Sequence, residues 1–119
     1  MGYVEVVNSS KNQALIAGRV LWAGTSEERR RGLLGRAWLG PDEGIYLVPC
    51  EWVHTFGMKF AIDIAFVAPD GVVLSVQHSL RPWRLSKLIW RAEGVLELAG
   101  GRLRETGTCQ GDRLEFRDL

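Results

Sequence analysis

The feature of this sequence that most constrains the fold is a pair of apolar runs separated by one turn. Residues 61–68 and 72–78 are rich in β-branched and aromatic side chains, and Pro-Asp-Gly at residues 69–71 supplies turn chemistry between them. In the first run both faces are apolar except at Asp63. A strand that is apolar on both faces must lie inside a sheet covered on both sides. The pair therefore predicts a hairpin whose first strand is central.

Short strand-like segments continue through the rest of the chain, and Thr25 and Glu28 have the spacing of a helix capping box. The box predicts a short helix over residues 26–34, with solvent-facing arginines and an end at Gly35. Residues 102–105 are expected to be short helical or irregular. The remaining predicted strands are residues 3–7, 14–23, 45–48, 94–98 and 112–117. Many short strands with one short helix predict an all-β fold, a sandwich or a barrel.

Composition bounds the class of protein. A chain of 119 residues corresponds to one domain, residues 1–119. A hydrophobic content of 46% with 24% charged residues excludes intrinsic disorder. The net charge of +1 gives no overall attraction to nucleic acid or membranes, so no nucleic-acid partner is expected. No apolar run approaches the ~20 residues of a membrane span, so no transmembrane segment is predicted.

The N-terminus and the cysteines bear on the expected compartment. Residues 1–11 lack the basic and apolar parts of a signal peptide. Two distant cysteines do not form the framework of a small disulfide-rich secreted protein. We therefore expect a cytoplasmic protein with reduced thiols.

Residues 50–60 concentrate more chemistry than any other part of the sequence, with a thiol, an imidazole, a hydroxyl, a thioether and three aromatic rings. Asp63 and Glu97 add carboxylates within apolar strands, where an unpaired charge costs several kcal/mol or more. These groups predict a concave binding site for a small molecule, a carbohydrate or a peptide. Its candidate residues are Trp52, His54, Thr55, Met58, Asp63 and Glu97.

Two alternatives use the same segment. Cys50, His54 and Asp63, with Glu97 as a further donor, are ligand types that zinc accepts. The chain has neither CxxC nor HExxH spacing, so the prediction is no metal and no other cofactor. Cys50 could also act as a nucleophile activated by His54. On an extended chain, however, side chains four residues apart lie ~13 Å from each other, which is beyond hydrogen-bond reach.

A third alternative is a hydrolase-like or metal-assisted enzyme, with Asp63 and Glu97 acting as acid and base in one cleft and with His54 or a metal ion as the electrophile. Such an enzyme would need the two carboxyl groups within ~10 Å of each other. No catalytic motif identifies the chain as an enzyme, and a non-catalytic binding module is favoured.

Residues 79–91 combine four basic side chains with two tryptophans and contain no acid. If residues 84–91 were helical, the basic side chains and the apolar ones would lie on separate faces. The candidate interface residues for a scaffold or assembly role with a protein partner are Trp83, Arg84, Lys87, Trp90 and Arg91. A loop with solvated arginines is the favoured interpretation.

Five blocks occur in an order and spacing that resembles the family known as domain of unknown function 192. They are residues 31–36, 54–67, 70–73, 95–101 and 111–114. The resemblance spans residues 25–116 and implies a compact β-sandwich of jelly-roll type, with no assigned activity. The family pattern has proline where this chain has Ala61, and some relatives have an aromatic residue in place of His54. Many relatives are exported or resemble lipoproteins.

Overall fold

A computed structural model describes residues 2–119 of the chain. It contains seven strands, two short helices and a single 3₁₀ turn at Ser9–Lys11. The strands are β1 (Tyr3–Asn8), β2 (Ala14–Ala23), β3 (Glu43–Leu47), β4 (Ile62–Val67), β5 (Val73–Leu80), β6 (Gly94–Ala99) and β7 (Leu114–Asp118). The helices are α1 (Ser26–Arg31) and α2 (Arg102–Glu105).

All seven strands belong to one sheet in the order β5-β4-β6-β3-β2-β1-β7. Neighbouring strands are antiparallel except β2 and β3, which run parallel. A parallel pair needs a crossover connection, and residues 24–42, which include α1, provide it. The predicted hairpin is confirmed, because β4 pairs antiparallel with β5. Its first strand is internal, since β6 covers its other edge.

The sheet curls until the beginnings of β5 and β7 meet. The amide of Val73 donates to the carbonyl of Asp112 at 2.8 Å, and the amide of Leu114 donates to the carbonyl of Gly71 at 2.8 Å. These bonds cover part of both sheet edges, which would otherwise expose unpaired backbone groups. The prediction of an all-β fold is confirmed, although the chain has two short helices. The jelly-roll arrangement is not confirmed, since the described strands form one curled sheet.

The two faces of the sheet carry separate apolar clusters. On β4, Ala65 and Val67 belong to the first cluster, whereas Ile64 and Phe66 belong to the second. The second face is covered by side chains from the loops, among them Met58. Strand β4 is therefore buried at every position, as its sequence predicts.

One local expectation was wrong, namely the extent of the first helix. Helix α1 ends at Arg31 and does not continue to residue 34, because Gly32 has a φ of 50°, which lies outside the right-handed helical region. Residues 84–91 form a loop, which was the favoured interpretation of this segment, and their backbone groups bond to residues 51–55. Within residues 2–119, no helix is long and apolar enough to cross a membrane.

Candidate functional site

A cavity of about 590 Å³ opens on the second face of the sheet. Four parts of the chain line it: α1 with the turn that follows, residues 49–58, the loop before β6, and the sheet itself. Its lining includes the side chains of Arg29, Arg30, Arg31, Leu33, Leu47, Cys50, Trp52, His54, Met58, Ala92 and Glu97. The volume lies in the range of small-molecule sites, and an apolar wall with few polar groups is typical of them.

Glu97 lies at the floor of the cavity. Its position in β6 sets it between Ile64 of β4 and Ile45 of β3, which are its direct partners across the sheet. The residue is 3% exposed, and burial raises the pKa of its carboxyl group to about 8. No residue in the range 2–119 forms an ion pair with this carboxyl, and no hydrogen bond contributes to its pKa. At neutral pH the cavity floor therefore carries a neutral acid.

Asp63 lies on the opposite face of the sheet from Glu97. It pairs with Leu98, whereas Glu97 pairs with Ile64, so the two carboxylates point to different sides. The carboxylate of Asp63 accepts the amide of Ser79 at 2.8 Å and the amide of Leu103 at 3.0 Å. The structure thus corrects two sequence interpretations: Asp63 does not line the cavity, and it cannot share one cleft with Glu97 as acid and base.

Helix α1 forms one wall of the cavity and brings three arginines to its mouth. The predicted capping box is present: Glu28 N donates to Thr25 Oγ1 and Thr25 N to Glu28 Oε1, both at 3.1 Å. Arg29 Nη1 donates to the carbonyls of Gly24 at 3.0 Å and Val48 at 3.1 Å, which ties the helix to the end of β3.

Arg30 and Arg31 remain available at the mouth. Both are exposed, and within residues 2–119 neither belongs to an ion pair. The sequence indicated solvated arginines here. Their position beside a cavity follows from the crossover that packs α1 over the sheet, which no local pattern encodes.

An aromatic row runs along the other side of the mouth. The rings of Trp52 and His54 lie 6.4 Å apart, and those of His54 and Phe56 lie 5.0 Å apart. His54 Nδ1 accepts the amide of Phe56 at 3.2 Å, which leaves Nε2 as the free nitrogen of the ring. Trp52 and His54, two of the candidate ligand-binding residues, line the cavity.

Thr55 does not line the cavity, which corrects its assignment as a ligand-binding residue. Its side chain is buried, its hydroxyl donates to the carbonyl of Arg81, and the same oxygen accepts the amide of Arg84 at 3.0 Å. Thr55 therefore fixes the backbone of the following loop. Met58 is buried at the cavity wall, where its flexible thioether can adapt to a ligand.

Cys50 lies in the cavity but is not set up as a nucleophile. Its thiol donates to the carbonyl of Trp52 at 3.0 Å, and burial raises its pKa above the ordinary value of 9.0. A raised pKa leaves little thiolate at neutral pH. The alternative zinc site of Cys50, His54 and Asp63 is not assembled, since Asp63 faces the other side of the sheet. Among residues 2–119 no three His, Cys, Asp or Glu side chains cluster as a metal site.

The predicted interface residues lie beside the cavity on a loop that contacts residues 51–55. Trp83 is 65% exposed and Trp90 is 72% exposed. Arg84, Lys87 and Arg91 are also exposed. The structure thus places all five candidates at the surface.

The comparisons with known proteins add a family and a fold. The family model DUF192, described as Uncharacterized ACR, matches residues 6–116. A protein of unknown function from Novosphingobium aromaticivorans DSM 12444 has a similar structure, with a TM-score of 0.77 and 27% identity. The match covers 95% of this chain and 83% of that one.

A second solved structure, from Sinorhizobium meliloti 1021, is described provisionally as a transcription regulator. Its TM-score is 0.79 at 25% identity, with 98% of this chain and 96% of that chain covered. No curated protein matches this chain.

Proposed function

Since the chain belongs to the DUF192 family, which has no assigned activity, we propose from the cavity that it is a small-ligand-binding module. The ligand is a small amphipathic anion with an apolar body. The observation that carries this proposal is Glu97, a buried acid without a protein partner at the floor of an open cavity.

The neutral form of Glu97 defines one end of the ligand. A carboxylic acid both donates and accepts a hydrogen bond, so it suits a hydroxyl, amide or amine N–H group. Within residues 2–119 no fully buried side-chain oxygen lacks a hydrogen-bond partner, so the carboxyl oxygens of Glu97, which have no partner in the protein, reach the cavity space. A ligand group in the cavity can form a hydrogen bond with them there. Glu97 therefore favours a ligand with a polar end at the floor.

The arginines define the other end. Arg30 and Arg31 stand at the mouth and have no carboxylate partner among the described residues. They repel a cationic ligand and attract an anionic group such as a carboxylate, sulfonate or phosphate. Leu33, Leu47 and Met58 offer an apolar wall between the two ends.

Anilinonaphthalene sulfonate is a suitable test ligand, because it joins a sulfonate, an apolar body and one N–H group. We expect the folded protein to bind it with enhanced fluorescence, and the variant Arg30→Gln/Arg31→Gln to bind it about five- to tenfold more weakly. Arg104→Gln, an exposed arginine of α2, is the matched control and should leave the affinity unchanged.

Two further variants locate the probe. Ala92→Phe should abolish binding, since the new ring fills the cavity. In the native protein the affinity should fall as the pH rises through about 8, because a charged Glu97 adds repulsion beneath an anionic ligand. Glu97→Gln should remove that fall. The proposed site would be refuted if the native protein, Arg30→Gln/Arg31→Gln and Ala92→Phe bound the probe with equal affinity.

A further inference from the structure

A surface with an unusual composition lies next to the cavity. Residues 51–56 and 81–91, here named the surface ribbon, form two adjacent loop segments joined by an isolated antiparallel bridge between His54 and Leu85. Their exposed large apolar side chains are Trp52, Phe56, Trp83, Leu85, Leu88 and Trp90. Four of these are at least 60% exposed, namely Trp83 at 65%, Leu85 at 60%, Leu88 at 64% and Trp90 at 72%. Soluble domains rarely expose so many large apolar side chains together without a binding role.

The surface ribbon is held in a fixed shape. The amide of Thr55 donates to the carbonyl of Arg84 at 2.9 Å, and the amide of Ser86 donates to the carbonyl of Val53 at 2.9 Å. The Lys87 amide bonds Gln77 Oε1 of β5 at 2.8 Å. The exposed side chains are therefore presented by an ordered backbone that need not fold on contact with a partner.

The charge of the surface ribbon has one sign. Arg81, Arg84, Lys87 and Arg91 are its basic residues, and Glu51 is its one acid, so its formal net charge is +3. This value exceeds the net charge of +1 for the whole chain, so the remaining surface is net negative. The molecule is thus polarised, with apolar and basic side chains on the same ribbon.

We propose that the surface ribbon docks the protein onto an anionic membrane surface. Tryptophan favours the bilayer interface, leucine inserts among the acyl chains, and basic side chains bind acidic headgroups. Because Trp52 and His54 belong both to the ribbon and to the cavity lining, docking would bring the cavity mouth close to the bilayer.

Two other occupants fit the chemistry less well. A second copy of the chain would set basic residues against basic residues, which is unfavourable at this surface. Single-stranded nucleic acid would match the charges and the tryptophans, since bases stack on aromatic rings. It offers no comparable environment for the exposed aliphatic side chains of Leu85 and Leu88.

The test is co-sedimentation of the full chain with vesicles at an ionic strength of about 0.1 M. Vesicles of phosphatidylcholine alone are compared with vesicles in which about a third of the lipid is phosphatidylglycerol. We expect binding to the anionic vesicles, little binding to the neutral ones, and loss of binding as salt is added.

The variant Leu88→Ser/Trp90→Ser should reduce partitioning at least about tenfold. Its matched control is Trp38→Ser/Leu119→Ser, because Trp38 is 65% exposed and Leu119 is 68% exposed, and both lie outside the surface ribbon. All four side chains are exposed, so the variants should fold, which an amide NMR spectrum verifies.

Three results would overturn the proposal. One is the absence of sedimentation with anionic vesicles, and another is equal partitioning by the two double variants. The third is a dependence on Leu88 and Trp90 of a different interaction while vesicle binding does not depend on them. That interaction would be binding to a short single-stranded oligonucleotide or self-association in ultracentrifugation. The last result would assign the surface ribbon to nucleic acid or to a second copy of the chain.

Discussion

Glu97 makes the stability of this protein depend on pH in an unusual direction. The folded protein holds the proton of Glu97 up to about pH 8, whereas the unfolded chain releases it near the ordinary value of 4.5. Between these values the folded state binds more protons, so the free energy of unfolding falls as the pH rises. Most paired carboxylates act in the opposite direction, because their pKa is lowered by folding.

We predict that Glu97→Gln removes this loss of stability. The variant and the native protein should have similar free energies of unfolding near pH 4.5, whereas above pH 8 the variant should be more stable by about 2–5 kcal/mol. Urea denaturation across this pH range measures the difference. Curves that stay parallel would show that Glu97 is not a buried neutral acid.

Asp63 has a structural role at the same scale. Its carboxylate accepts hydrogen bonds from the backbone amides of Ser79 and Leu103. Ser79 has a φ of 50°, in the left-handed region. Gly101 precedes α2 and has no side chain that could cap the start of this helix. Asp63, from β4, instead supplies the acceptor for the Leu103 amide in its first turn.

We expect Asp63→Ala to lower the free energy of unfolding by about 2–4 kcal/mol, because it leaves the buried amide of Leu103 and the partly buried amide of Ser79 without their acceptor. Anilinonaphthalene sulfonate should still bind the folded fraction with native affinity, since Asp63 lies on the other face of the sheet. A variant that keeps its stability but loses the probe would instead place Asp63 in the binding site.

At the scale of elements, α1 is a short helix whose stability depends on its first turn. The hydrogen bond from the Thr25 amide lowers the pKa of Glu28 below 4.5, so the reciprocal cap is intact at neutral pH and weakens as acid protonates Glu28. A helix of six residues forms little structure alone, so this cap and the contacts of Arg29 hold it in place.

The substitution Thr25→Ala should lower the free energy of unfolding by about 1 kcal/mol. It should also weaken the binding of anilinonaphthalene sulfonate, because α1 carries the arginines of the cavity mouth. Ser10→Ala, far from α1 along the chain, serves as the comparison and should leave the probe affinity unchanged. Thermal denaturation and fluorescence titration give the two readouts, and an unaltered affinity in Thr25→Ala would argue against α1 as a wall of the site.

At the scale of the whole molecule, the two ends of the chain meet in neighbouring strands. Strand β7 pairs with β1, and Asn8 Nδ2 donates to Asp112 Oδ2 at 2.9 Å while Lys11 Nζ bonds the same carboxylate at 2.8 Å. Burial acts to raise the pKa of Asp112, but these contacts outweigh it and lower the pKa to about 2. The last strand therefore closes the sheet.

We predict that removal of residues 109–119 prevents folding. The truncation exposes the edge of β1, takes Leu114 out of the core and leaves Asn8 buried without its carboxylate partner. Far-UV circular dichroism and amide NMR spectra report the outcome. Removal of Leu119 alone is the control and should leave the fold intact, and a folded truncated chain would show that β7 is dispensable.

The sequence by itself determined what depends on neighbouring residues. The β-branched runs around residues 69–71 specified a hairpin, and the apolar faces of β4 specified a central strand. The reciprocal bonds of Thr25 and Glu28 require only a spacing of three residues, so the start of α1 was also readable. The sequence likewise indicated that Trp52, His54, Met58 and Glu97 were unusual, and these four line the cavity.

Only the tertiary structure decided which of those groups act together. The strand β4 pairs with β6 in a register that sets Asp63 opposite Leu98, and that register sends Asp63 and Glu97 to opposite faces. The crossover from β2 to β3 likewise brings the arginines of α1 to the cavity, although their local pattern is that of a solvated helix. Both outcomes depend on pairing between segments distant along the chain. A one-residue change in register would reverse the faces, and local sequence does not fix it.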